Sequence, residues 1–354
     1  MTAPRTIGIG IGNRRVGDGA PCYIVAEIGI NHNGDMALAR RSIDAAKLAG
    51  ADAVKFQNYR TEDFVLDCAL TYSYSSQGRA VTEPQYDMFK RCELTPDDVR
   101  GLKAYCDSIG IDFHSTPTGE DGVQLLVELG VGVLKNGSDF LGNLPLIEAM
   151  GRTGLPTVLS TGMAELADIE AAVSAFRATG NQQLILLHCV SSYPAPAASL
   201  NLKKIPELSR TFGCAVGFSD HSEGSLAAVG AVALSACWIE KHFTLDRGLP
   251  GPDHRFSSDP ADFAALVHAV RGIETALGSA ELRPAESERE MRAAARLSCV
   301  AARPLGRSHV LATNDIAFMR PGTGLPPKAR DTLIGRRLAR DVDAGHVFAS
   351  DDFA

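Results

Sequence analysis

The sequence predicts an α/β architecture: a closed (β/α)8 TIM-type barrel followed by a small, mostly-β module. Three observations predict it. Short apolar runs alternate with amphipathic stretches, the pattern of right-handed βαβ units and a parallel sheet. There are eight such runs, the number that closes a barrel. After Gly278 the alternation stops, and short β-like pieces among Gly and Pro turns take over.

Taken in order, strands are expected near residues 23–27, 53–56, 112–115, 132–135, 157–160, 184–188, 215–218 and 238–241. The stretches 36–49, 96–109, 121–129, 144–152, 165–178 and 225–235 carry one apolar face at helical spacing. Ahead of the first strand, residues 6–16 with Gly-Asp-Gly at 17–19 read as a hairpin cap within positions 1–20. The run Gly8, Gly10, Gly12 has no strand before it and no helix after it, so it does not read as a dinucleotide loop. Residues 58–96 are polar and Tyr-rich, and read as an elaborated loop at the end of the barrel where such folds carry function. The expected domains are 1–280 for the barrel, 281–296 for a charged linker with a helical part, and 297–354 for the small module. Within that module, β-like pieces fall at 298–302, 315–319, 337–338 and 346–348, and no internal repeat stands out.

Composition bounds the function. The 354 residues are 45% hydrophobic and 22% charged, which suits a soluble protein with a sizeable core and excludes disorder as its main state. Lys and Arg number 35 against 42 Asp and Glu, a formal charge of −7. That argues against a nucleic-acid or anionic-membrane partner, and leaves room for a small anion in a local basic pocket. No stretch approaches ~18 consecutive apolar residues, so no membrane span is expected. The N-terminus lacks an apolar signal core, and a cytoplasmic protein is expected. The eight cysteines form no C-x-x-C pair and read as buried, reduced thiols.

Active sites of such barrels lie at the carboxyl ends of the strands. Here all eight ends carry polar or ionisable groups, and two clusters among them have chemical meaning. Lys55 and Lys135, with the hydroxyls of Thr116, Ser138 and Ser160, suit a phosphate or carboxylate. The same lysines are also open to pairing with carboxylates, or to a Schiff base as in carbonyl aldolases. His221 and His242 end neighbouring strands and are placed to share a divalent cation, Zn or Mn by imidazole chemistry alone. A structural or acid–base role for the pair stays open. Glu27 is the carboxylate best placed for proton transfer or for orienting a water. Asp253 reads either as a contact for sugar hydroxyls or as an ordinary turn aspartate, and His32 as a loop-holding residue.

The motifs in order resemble the sialic acid synthase family, the synthases of nine-carbon nonulosonic acids, across nearly the whole chain. They are Ala26-Glu27-Ile28-Gly29-Ile30-Asn31-His32-Asn33-Gly34, Ala53-Val54-Lys55-Phe56-Gln57, Ser115-Thr116-Pro117 and Leu159-Ser160-Thr161-Gly162-Met163. Leu187-His188-Cys189, Tyr193-Pro194, Gly217-Phe218-Ser219-Asp220-His221, Glu240-Lys241-His242-Phe243-Thr244, Gly251-Pro252-Asp253 and Arg320-Pro321-Gly322 complete them. The resemblance implies a barrel followed by an antifreeze-like (SAF) domain, in a domain-swapped homodimer. It implies condensation of phosphoenolpyruvate with an N-acyl amino sugar, with release of phosphate. It assigns Lys55, Thr116, Lys135, Ser138, Ser160 and Tyr193 to phosphoenolpyruvate. His221 and His242 take a divalent metal, Mn2+ before Mg2+ or Co2+, and Glu27 is the acid–base carboxylate. Gln57 and Asp253 contact the sugar, and Arg320 reaches the partner subunit's site.

Four positions depart from the family pattern. Asp139-Phe140 stands where many members have Gly-Glu, Thr118 where Phe is frequent, and Ser191 where synthases acting on N-acetylmannosamine carry Asn. They lean toward a relative of the legionaminic or pseudaminic kind, or toward another sugar. The competing readings are a related 3-deoxy-sugar-acid synthase using another aldose, a Schiff-base pyruvate aldolase, and a non-catalytic sugar-binding protein.

Overall fold

Each of the eight apolar runs is a strand: β1 Tyr23–Gly29, β2 Ala53–Asn58, β3 Asp112–Pro117, β4 Leu134–Asn136, β5 Thr157–Ser160, β6 Leu184–Cys189, β7 Ala215–Asp220 and β8 Trp238–His242. In the computed structural model, which describes residues 8–17, 19–66 and 69–354, they form one parallel sheet. Its order is β3-β2-β1-β8-β7-β6-β5-β4, and the end strands β3 and β4 pack side by side to close the barrel. Strand β4 starts at Leu134 rather than at residue 132.

The strands are buried on both faces, which is why they read as continuous apolar runs. The pleat sorts their residues. Ile24, Ala26 and Ile28 of β1 face outward into the layer packed by helices. Tyr23 and Val25 point inward with Ala53, Val158, Leu187 and Trp238. That helical layer comprises α1 Met36–Leu48, α2 Pro96–Ile109, α3 Glu120–Glu128, α4 Leu144–Arg152, α5 Leu166–Ala178, α6 Lys204–Phe212, α7 Leu226–Ala233 and α8 Pro260–Leu277. Helix α2 shows how local sequence sets an end. Thr95 and Asp98 form a reciprocal capping box, Pro96 opens the helix, and Gly110 closes it at φ 71.

The amino-terminal cap is a two-stranded hairpin, with Ile9–Ile11 antiparallel to Arg14–Val16. Ile9, Ile11 and Val16 are buried against the inward residues at the amino ends of the strands, so the hairpin plugs that end of the barrel. Of the expected cap, residues 1–7 and Asp18 lie outside the described residues. The segment 58–96 is more ordered than a loop. It holds a 3-10 turn at Thr61–Asp63, a hairpin of Thr71–Ser76 with Arg79–Pro84, and a helix at Gln85–Cys92. Gln77 and Gly78, both at positive φ, make the tight two-residue turn of that hairpin. The seven described cysteines are buried with free thiols, and Cys68 lies outside the described residues. No helix among the described residues is long and apolar enough to cross a membrane.

Contacts divide the chain into Met1–Gly278 and Ser279–Ala354. The second unit opens with a short helix at Arg289–Ala295 and an antiparallel pair, Ser298–Ala301 with Ile316–Met319. Isolated bridges then join Val300 to Val347, Leu305 to Val342, Val310 to Arg337 and Leu338 to Phe353. Its core includes Cys299, Leu311, Ile316, Leu338, Phe348 and Phe353.

This unit does contain an internal repeat, contrary to the sequence expectation. Asp315 is buried and accepts from the Ala312 amide (2.9 Å) and the His309 ring (2.7 Å), and it pairs with Arg303 (2.8 Å). Asp352 is buried and accepts from the Ala349 amide (2.8 Å) and the His346 ring (2.9 Å), and it pairs with Arg340. In both copies histidine precedes the aspartate by 6 residues and arginine by 12. The relation is also legible in the sequence once the two stretches are aligned: His309-Val310-x-Ala312-x-x-Asp315-x-Ala317 matches His346-Val347-x-Ala349-x-x-Asp352-x-Ala354.

Candidate active site

The pleat brings Glu27, Lys55, Lys135 and Glu240 to the inner face of the barrel, where all four are buried. Lys55 Nζ lies 2.8 Å from Glu27 Oε2 and 3.6 Å from Glu240 Oε1, and donates to Thr116 Oγ1 at 3.0 Å. Lys135 Nζ lies 3.5 Å from the same Glu240 oxygen and donates to the Asn136 carbonyl at 3.0 Å. Two ammonium groups thus share one carboxylate. Burial opposes the charge on Glu240, but Lys135 and Lys55 together hold its pKa below the usual range. Burial pushes Glu27 up to about 7, although Lys55 opposes it. Burial lowers Lys135 as well, while Lys55, with two carboxylates beside it, is raised against its burial. Glu240 is the residue that reading the motifs alone missed. The signal was present, since Trp238, Glu240 and His242 alternate onto one face and Lys241 takes the other. Lys241 there pairs with buried Asp220 at 2.8 Å.

Hydroxyls stand beside the lysines. Ser138 Oγ donates to Ser160 Oγ (2.8 Å) and accepts from the Gly162 amide (3.0 Å). Gln57 Nε2 donates to the second Glu27 oxygen at 3.4 Å. The His221 and His242 rings lie 5.4 Å apart, with Tyr193 over them at 4.2 and 5.8 Å and Phe256 against Tyr193 and His242. Asp253 Oδ2 is 3.9 Å from His242 Nδ1.

These groups line one cavity of about 350 Å³ at the carboxyl ends of the strands. It takes in Glu27, Lys55, Gln57, Thr116, Lys135, Ser138, Ser160, Tyr193, His221, His242 and Asp253. Of the residues picked from the sequence, Arg320 is not among them. It is exposed on the second unit. Asp139, Phe140, Thr118 and Ser191, the positions that depart from the family pattern, all line the cavity. Its wall toward the 58–96 insertion is mostly aromatic and apolar, with Ile30, Tyr59, Phe64, Met88, Phe89 and Phe140, and carries two polar groups, Tyr72 and Gln85. His32 is outside, its Nδ1 accepting from the Gly34 amide.

The imidazole pair suits a divalent cation. His242 Nδ1 is buried without a hydrogen-bond partner, and burial together with His221 holds its ring well below the usual pKa, hence neutral. The His221 Nδ1–H donates to the Val190 carbonyl at 2.9 Å, which turns the Nε2 lone pair outward. Among the described residues no group of three or more His, Cys, Asp or Glu is preassembled around a common point.

The chain was compared with known proteins. The NeuB family profile matches residues 42–282. The N,N'-diacetyllegionaminic acid synthase of Legionella pneumophila is 39% identical over 93% of this chain and 94% of its own length. The human N-acetylneuraminate-9-phosphate synthase is 34% identical over 93% of this chain and 92% of its own. The crystal structure of the N-acetylneuraminic acid (sialic acid) synthetase of Leptospira borgpetersenii, in complex with citrate, is 37% identical. It covers 81% of this chain and 95% of that one, with a TM-score of 0.73. Sequence and fold agree that this chain is an enzyme of the NeuB family, the sialic-acid-type synthases.

Proposed function

We propose that the protein condenses phosphoenolpyruvate with the open-chain form of an N-acyl amino sugar, giving a nonulosonic acid and phosphate. The observation that carries this reading is the buried pair Lys55 and Lys135, ringed by Thr116, Ser138 and Ser160, beneath two imidazoles. The lysines and hydroxyls hold the anionic donor, and Tyr193 closes over it. The enol carbon attacks the sugar aldehyde, whose oxygen takes a proton from solvent. Water, oriented by Glu27, adds to the cationic C2 and gives its proton to the carboxylate. The resulting tetrahedral centre expels phosphate by C–O cleavage, its hydroxyl proton passes to the departing phosphate, and the 2-oxo acid remains. Fixed charges in a dry pocket supply most of the acceleration. His221 and His242 would hold a divalent cation, Mn2+ before Mg2+ or Co2+, whose chemistry is to polarise the aldehyde.

The apolar wall supports a deoxygenated acceptor such as a di-N-acyl trideoxyhexose. Its phenyl rings suit methyl groups, and hydroxyls set against them, away from Tyr72 and Gln85, would go unpaired. Lys55 and Lys135 are the cavity's Lys and Arg residues among those described, and both lie at its floor, which supports an unphosphorylated sugar. The relative named for diacetyllegionaminic acid points the same way. We assign residues 297–354 to an antifreeze-like module that lends Arg320 to the partner subunit in a swapped homodimer.

The test is phosphate release from phosphoenolpyruvate with Mn2+ across N-acyl hexoses, their deoxy forms and their 6-phosphates, with the product mass as a check. Silence from the folded, metal-loaded protein across the panel overturns the reading. Lys135 favours a second reading, since a buried lysine with a lowered pKa is what a Schiff-base aldolase needs. Borohydride with pyruvate would then add a stable mass.

Two further results are expected. Chelation should abolish turnover, and His221→Ala should do so irreversibly while circular dichroism stays unchanged; full activity in chelator refutes the cation site. Arg320→Ala should raise the sugar KM about ten-fold, the size of one charge-assisted hydrogen bond, with the phosphoenolpyruvate KM unmoved. Equal sugar kinetics would sink the assigned role.

A further inference from the structure

Asp253 is held in place by its backbone. Among the described residues its carboxylate takes no hydrogen bond, and the one basic side chain within 4.0 Å of it is the neutral His242 ring, at 3.9 Å. The turn that carries it is fixed at three backbone groups by side chains from elsewhere. The Pro250 carbonyl accepts from Asn33 Nδ2 at 2.7 Å. The Gly251 amide donates to buried Ser76 Oγ, in the inserted hairpin, at 3.2 Å. The Asp253 carbonyl accepts from Ser257 Oγ at 2.7 Å, and that hydroxyl accepts from Asn31 Nδ2 at 2.9 Å.

The hydrogens around Asn33 are all accounted for. Its second Nδ2 hydrogen points to His254 Nε2 at 3.2 Å. The opposite ring nitrogen meets Thr244 Oγ1 at 2.7 Å, and Thr244 in turn donates to the Asp246 carbonyl at 3.1 Å. Burial holds His254 at a pKa of about 4, so the ring is neutral and Nε2 is free to accept. The turn is also tight. Gly251 sits at φ 147, and a Cβ there would come within 2.7 Å of His254 Cδ2 and 2.9 Å of Asn33 Oδ1. Two loops separated by most of the barrel sequence thus converge on one four-residue turn.

We infer that Asn33 and Ser76 are positioning residues that aim the Asp253 carboxylate into the cavity. The inference rests on the proposed contact between Asp253 and the sugar acceptor. It gives the Asn31-His32-Asn33-Gly34 motif a task outside the cavity, and it ties the inserted hairpin to the reaction.

Asn33→Asp is nearly isosteric but cannot donate, so it loses the bonds to Pro250 and His254 and sets a carboxylate against a carbonyl. It should raise the sugar KM about ten-fold or more, with the phosphoenolpyruvate KM and the melting temperature close to wild type. Ser76→Ala should act in the same direction, and Ser76→Thr, which keeps the hydroxyl, should restore wild-type kinetics. Asp253→Ala separates the two ideas. If it leaves the sugar KM unchanged, the contact reading fails and the inference with it. If Asp253→Ala raises the sugar KM but Asn33→Asp does not, positioning alone is overturned. In the double variant the Asn33→Asp effect should vanish, because there is no carboxylate left to aim. Additive effects would overturn the inference, as would a loss shared equally by both substrates.

Discussion

Replacing Lys55 with methionine is expected to cut turnover by about 10³-fold, the loss typical of a donor aimed at developing charge. The floor of the cavity is a neutral set of two ammonium and two carboxylate groups. Removing Lys55 leaves Glu27 without its 2.8 Å partner and leaves Glu240 to Lys135 alone. The Glu27 carboxyl, already raised to about 7 while Lys55 opposes the rise, then protonates, so the melting temperature should fall, and fall further at pH 8 than at pH 6. Stability and catalysis can be separated. Adding Glu27→Gln to Lys55→Met removes the stranded carboxylate and should recover most of the melting temperature, while turnover stays lost. Recovery of both would show that Lys55 serves only the fold.

Glu27→Gln alone is expected to lower kcat by about 10²–10⁴-fold, the usual contribution of a positioned base. The wild-type pH profile carries the sign. Burial pushes the Glu27 carboxyl up to about 7, so it is largely protonated at pH 6 and ionised at pH 8. A base must be ionised, so wild-type kcat/KM, which reports the free enzyme, should rise as the pH climbs through about 7 and level off above it. The glutamine variant should lack that rise. A variant that keeps the same limb would place the titration on another group and remove Glu27 from the proton transfer.

Much of the barrel was legible because its strands are buried on both faces and so stand out as apolar runs. Their polar carboxyl ends gave away the site, because a charged residue after an apolar run has few places to go other than a cavity. Three things were harder to read. The hairpin at 71–84 is polar on both faces, and its real signals, the alternating Tyr72 and Tyr74 and the Gln77-Gly78 turn, are short. Glu240 lies next to Lys241, and only the pleat reveals that one faces Lys55 and the other Asp220. The paired Arg–His–Asp knots around Asp315 and Asp352 sit in two stretches that share His-Val-x-Ala-x-x-Asp-x-Ala, a relation that apolar periodicity does not detect and that only alignment of the chain with itself brings out.

The plug formed by Ile9, Ile11 and Val16 also governs traffic. Among the described residues the barrel is sealed at the amino ends of its strands and its cavity lies at the carboxyl ends, so whatever settles on the lysines must enter before whatever sits above them. On the assignments proposed here, phosphoenolpyruvate is the obligatory first arrival. A sugar that comes early stands over the floor and blocks the way down to it, and substrate inhibition by the sugar, relieved by more phosphoenolpyruvate, is the kinetic mark of that closed end.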